Sequence, residues 1–247
     1  MTDIHCVHNY LLVALSYVVS VLGSYTALQI ALDIPGAQTS GQRWTALLGS
    51  GAAMGGGAIW AMHFIAMLGC QMEIPVGYDL LLTFGSALVG IASCTVGLAI
   101  ASSGRFSWGR LVAAGIAMGL GVGGMHYMGM AAMLMPAATQ YDTGIVAISI
   151  AIAIVASIAA LWLAFHTRGW AQLLGSALVM GVAVCGMHYT GMSAATFVPV
   201  ADHVHDAARG MVGEGLGATI FTIASVLLLV ALFVNGTQKQ RRADIRI

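Results

Sequence analysis

Three histidines stand in one short phrase written three times: Met62-His63-Phe64-Ile65-Ala66-Met67, Met125-His126-Tyr127-Met128-Gly129-Met130 and Met187-His188-Tyr189-Thr190-Gly191-Met192. The phrases begin 63 and 62 residues apart, which marks an internal repeat. Each histidine precedes a methionine by four residues, so on a helix the two share a face, one turn apart. Imidazole binds copper, zinc, iron or nickel, whereas thioether sulfur selects copper, above all Cu(I). With no carboxylate in the phrases, this donor set points to copper. The candidate ligands are His63, His126 and His188 through nitrogen, with Met67, Met130 and Met192 through sulfur. Met62, Met125 and Met187 adjoin the histidines but project about 100° away. Met54, Met118 and Met180 read as core filling, the usual use of methionine. One ion shared by three helices and one ion per hairpin both fit the spacing.

The elements that carry these phrases follow from composition. Hydrophobic residues make up 59% of the 247 and charged residues 7%, against roughly a quarter charged in a soluble domain. Mean hydropathy is +0.91. The apolar runs are long and lack a two-residue alternation, so the expectation is an all-α membrane protein rather than a β-barrel. Seven transmembrane helices are predicted, at 10–31, 44–68, 78–101, 109–133, 144–165, 170–195 and 216–236. They form three repeated helical pairs plus one C-terminal helix. Each pair ends in a phrase, and a proline follows each phrase at Pro75, Pro136 and Pro199.

Charge orients the bundle. The segment before the first span has no Lys or Arg, unlike a cleaved signal peptide, so it reads as a retained helix with the N-terminus outside. The inner segments then hold Arg43, Arg105, Arg110, Arg168, Lys239, Arg241, Arg242 and Arg246, and the outer ones only Arg209. The C-terminus is cytoplasmic, and all three phrases lie one or two turns below the outer surface. Residues 1–236 make the membrane domain. Thr237–Ile247 is a short basic tail, too small for a catalytic fold, that could link to an output domain; the chain itself is expected to be non-enzymatic.

Other residues narrow the chemistry. The single lysine, Lys239, lies outside every span, which excludes a retinal Schiff base, and no Asp/Glu relay crosses the spans. Tyr127 and Tyr189 read as interfacial anchors, with a hydroxyl role beside the histidines as the lesser reading. His203 and His205, with Asp202, Asp206 and Glu214, read as a solvated loop. Cys6 and Cys70 fall on one side, where a disulfide is open but free thiols are the preferred reading, since free cysteine is common in cores. The glycines of the second, fourth and sixth spans let helix backbones approach closely.

The phrases Met-His-Phe-Ile, Met-His-Tyr-Met and Met-His-Tyr-Thr resemble the signature of the MHYT family of bacterial integral-membrane sensor domains. Ser24-Tyr25-Thr26-Ala27-Leu28, Ile74-Pro75-Val76-Gly77-Tyr78-Asp79 and Ala159-Ala160-Leu161-Trp162-Leu163-Ala164-Phe165 extend the resemblance over nearly the whole chain. It implies a multi-pass protein of the bacterial cytoplasmic (inner) membrane that binds copper near its outer face. The ligand sensed would be oxygen, nitric oxide, carbon monoxide, or copper and redox state. Its output would run through cytoplasmic domains that make or degrade cyclic di-GMP. A copper carrier or a haem-binding redox protein are the competing readings. The expected partners are the bilayer, a diatomic gas and a cytoplasmic output domain, with a homodimer left open and no nucleic acid.

Overall fold

The computed structural model describes residues 4, 6–200, 210–212, 215–217, 219–220, 222–226, 228, 230 and 233. His203, His205, most of the final span's second half and the basic tail lie outside them. Helices α1 (Tyr10–Ala31), α4 (Leu80–Ala101), α5 (Trp108–Ala131), α6 (Thr143–His166) and α7 (Gly169–Ser193) are each long and apolar enough to cross a membrane. A sixth such span, Ser40–Leu68, is built from α2 (Ser40–Gly51), a π-helical stretch (Ala52–Trp60) and α3 (Ala61–Leu68). Six of the seven expected spans are therefore present at nearly the expected bounds. The final one is represented by a shorter apolar helix, α8 (Gly215–Val226).

The three pairs repeat in their ends as well as their phrases. Asn9, Asp79 and Asp142 cap the first helix of each pair by accepting backbone N–H bonds with their side-chain oxygens. The backbone N–H of each cap donates to a carbonyl just past a phrase: Asn9 to Gly69, Asp79 to Ala132, Asp142 to Ala194, at 2.8, 2.8 and 2.9 Å. Short antiparallel strands close the same three junctions. They are β1 (Val7–His8) with β2 (Cys70–Gln71), β3 (Gly77–Tyr78) with β4 (Met133–Leu134), and β5 (Ala137–Tyr141) with β6 (Ala195–Pro199). A further strand, β7 (Met211–Val212), joins β3. These strands add a rim at the motif end that helical periodicity does not announce.

Cys6 and Cys70 form a disulfide across the first junction, with Cα atoms 5.3 Å apart; Cys94 and Cys185 are free. At the opposite end Arg43 donates to Ser102 Oγ at 3.0 Å and Arg110 donates to the Ser103 carbonyl. Both cations thereby serve the C-terminal end of α4, where the carbonyls lack helical partners.

The spans form a ring in which each phrase-bearing helix packs against the first helix of the next pair. The Met-Gly step upstream of each phrase makes that contact: a Cβ on Gly55 would overlap the Gly90 carbonyl of α4, one on Gly119 the Ile154 backbone of α6, and one on Gly181 Val21 of α1. Close backbone approach at small residues is how membrane helices associate. Helix α8 buries Leu216, Ile220 and Ala224 and lies against the first motif span, with Gly217 beside Leu68; Leu228, just beyond the helix, lies beside Gly57.

Candidate metal centre

The repeat becomes a site because three helices deliver the same residue to one axis. Each phrase occupies the last turns of its span, in α3, α5 and α7. His63, His126 and His188 are buried, 1%, 0% and 1% exposed. His63 Nδ1 is 2.9 Å from His188 Nδ1 and 3.2 Å from His126 Nδ1. Ring centroids lie 4.8, 5.0 and 5.3 Å apart, each pair edge to face. Of the two arrangements left open by spacing, the geometry is the shared one. Among the described residues, these three histidines form the group of His, Cys or carboxylate donors close enough to hold one ion.

Proton counting favours a cation at this point. A neutral imidazole offers one N–H and one lone pair. His63 Nδ1 faces two nitrogens with a single in-plane direction, so hydrogen bonds among the rings leave at least one convergent nitrogen unpaired. A cation accepts all three lone pairs at once, with the ring protons moved to Nε2. All three Nε2 atoms are buried without a hydrogen-bond partner, and a buried unpaired polar group costs about 1–3 kcal/mol. An ion on the Nδ1 atoms would satisfy their three lone pairs, whereas the Nε2–H groups stay unpaired with or without it.

The rings are held by the neighbouring phrase. A Cβ on Gly129 would overlap His63 Nε2, and one on Gly191 would overlap His126 Nε2. Glycine at the fifth position of a phrase thus admits the imidazole of the preceding one. In the first copy that position is Ala66, also buried. The aromatic after each histidine meets it edge to face, Phe64 at 4.9 Å, Tyr127 at 4.8 Å and Tyr189 at 5.0 Å. Tyr127 bonds Ser149 Oγ at 2.7 Å, tying α5 to α6 rather than acting on the histidine.

The methionines separate. Met67 and Met130 are 2% exposed within the core. Met192 is half-buried and lines a cavity of about 400 Å³ at the motif end with Cys6, His8, Tyr189 and Thr196. His8, which the spacing argument passed over, stands 5.8 Å from the Tyr189 ring. Met54, Met118 and Met180, read as core filling, are buried in the core and line one cavity together.

The repeat also occurs in known proteins. The family model MHYT, described as "Bacterial signalling protein N terminal repeat", matches residues 56–114, 119–177 and 181–247. The bifunctional diguanylate cyclase/cyclic di-GMP phosphodiesterase MucR of Pseudomonas aeruginosa is 41% identical over 234 residues, 92% of this chain and 34% of that protein. The cyclic di-GMP phosphodiesterase NbdA of the same organism is 31% identical over 96% of this chain and 31% of its own length. The signaling protein YkoW of Bacillus subtilis is 32% identical over 79% of this chain and 25% of its own length. The chain thus spans about a third or less of each of these relatives. No solved structure matches it.

Proposed function

The chain belongs to the MHYT family of bacterial signalling repeats, and from that premise we propose that it is a membrane sensor module holding one copper ion on His63, His126 and His188. The observation that carries this is the convergence of three buried Nδ1 atoms from three repeats. Three neutral imidazoles and no carboxylate make a donor set for a soft, low-charge ion. A monovalent ion keeps the desolvation cost of a buried charge lowest, so Cu(I) fits better than a divalent metal. Met67, Met130 and Met192 are the nearby sulfur ligands of this reading. Copper there supplies a redox-active centre with affinity for small neutral ligands such as O2, NO or CO.

The orientation is the one set by the arginines, with the site toward the exterior of the inner membrane and the C-terminus inside. Helix α8 packs on the first motif span, so a shift at His63 reaches the helix that leads toward the cytoplasm. The names of MucR and NbdA make cyclic di-GMP turnover the output of the relatives, and an output of that class is proposed here. The test is metal analysis of the purified chain with copper-edge X-ray absorption. One copper per chain with nitrogen scattering, lost in the His63/His126/His188→Ala variant, is the expected result. Wild-type copper content in that variant overturns the assignment.

A further inference from the structure

Two turns below the histidines the repeat writes a second layer. A Met-Gly step recurs at Met54-Gly55, Met118-Gly119 and Met180-Gly181. Met118 and Met180 each precede the first methionine of their phrase by seven residues, and Met54 precedes Met62 by eight. The extra residue falls inside the π-helical stretch Ala52–Trp60. Hydrogen bonds from i to i+5 take up one residue more than an α-turn, as π-bulges in α-helices do. The π stretch therefore keeps Met54 on the same face as its two counterparts.

All three methionines line one cavity of about 30 Å³, together with Met187 and, among others, Val122 and Ser157. They are 6%, 3% and 4% exposed, and Met187 is 2%. With histidines eight or nine residues further along, the layer lies about 12 Å from the imidazoles at ~1.5 Å per residue. It is a separate place on the same axis. Space for about one water-sized body lies where equivalent methionines of the three repeats line the same cavity. Ser24 Oγ donates to Met54 Sδ at 4.0 Å, a polar contact to one of the sulfurs.

We propose that Met54, Met118 and Met180 form a second site, for a single soft monovalent cation of the Cu(I)/Ag(I) class. Thioether sulfur selects such ions and gives little to hard ones. The lining includes no carboxylate, and neutral donors in an apolar span hold a single charge at lower cost than a double one. The site goes beyond the histidine centre and does not depend on copper being bound there.

The experiment uses silver(I) as the probe on the purified full chain. Bound silver is counted by elemental analysis, and its neighbours are read by X-ray absorption. The Met54→Leu/Met118→Leu/Met180→Leu variant should bind one silver fewer than wild type, with loss of a sulfur-only component and unchanged copper at the histidines. Equal silver counts and equal sulfur scattering in the two proteins overturn the proposal. Should the triple variant fail to fold, the single Met118→Leu and Met180→Leu chains should each weaken silver binding at least tenfold; unchanged affinity in both overturns it equally. Wild-type copper content in the His63/His126/His188→Ala variant, with the silver difference between wild type and the methionine variant intact, would refute only the function proposed above.

Discussion

The first and third repeats carry the same phrase in opposite settings. In an apolar 18-residue stretch of the span that carries His63, 89% of the residues are buried, against 33% in that of the span that carries His188. The first is wrapped by α1, α4 and α8, contains the π stretch, and has Phe64, Ala66 and a sealed Met67 around its histidine. The third is regular α-helix, has Tyr189 and Gly191, and exposes Met192 to the motif-end cavity beside His8. One ancestral unit has thus diverged into a buttress in contact with α8 and a face that opens toward the motif end. Under the proposed function, the contrast would put ligand access at the third copy and transmission at the first.

The largest effect of a single substitution should come from the residues that lock the rings. Gly129→Ala and Gly191→Ala each place a Cβ into a buried imidazole, and overpacking of this kind costs about 1–3 kcal/mol. Both should lower thermal stability and reduce bound copper at least tenfold. Ala66→Gly, at the same position of the first copy, should cost no more than about 1 kcal/mol, the helix propensity difference, and keep the metal. Calorimetric or fluorescence melting with metal analysis reads all three. Equal metal loss in the three variants would erase the asymmetry.

A second comparison concerns the π stretch. Deleting Gly56 restores the seven-residue spacing of the other copies, so the segment should relax to α-helix with metal content retained. Deleting Gly123 from α5 rotates the second phrase by about 100° and should abolish binding. Retained binding after the Gly123 deletion would show that the phrase tolerates any rotation, and the spacing argument would fall with it.

Much of this was legible beforehand, because repetition turns a weak signal into a strong one. A single buried histidine says little, but three at one repeat position pointed to the cluster that the helices build. The spans were legible from hydropathy, and the bounds of six agree within a few residues. Other features were written less plainly. The eight-residue step from Met54 to Met62 was a sign of the π stretch, but one extra residue is invisible without the other copies as a ruler. Two-residue strands such as Val7–His8 have no periodicity to read. The pairing of Cys6 with Cys70 depends on β1 meeting β2, a long-range contact. Methionine was the hardest residue to assign, since filler and ligand use the same side chain. Met54, Met118 and Met180 read as core and are buried in it, and they also share a cavity.

Access can be tested directly. Cysteine placed at Met192 should react with a membrane-impermeant thiol reagent at least tenfold faster than cysteine placed at Met67, because one lines an open cavity and the other is 2% exposed. Reaction in intact cells would also support an exterior motif end. Equal rates would remove the third copy's claim to be the entrance.

The smallest expected effect separates the two tyrosines. Tyr127 has a hydrogen-bond partner on the neighbouring helix, since its hydroxyl meets Ser149 Oγ at 2.7 Å while Ser149 donates to the Val146 carbonyl. With the serine proton committed to that carbonyl, Tyr127 is the donor in the pair. Tyr127→Phe removes one hydrogen bond, and Ser149 keeps its own, so the cost should be about 0.5–1.5 kcal/mol. The Tyr189 hydroxyl is buried and meets Ser16 of α1 less closely, so Tyr189→Phe should cost less than Tyr127→Phe. Paired melting curves in detergent measure the difference. If Tyr189→Phe costs as much as Tyr127→Phe, the Tyr189 hydroxyl has a partner of equal strength, and the third copy is braced like the second instead of standing open.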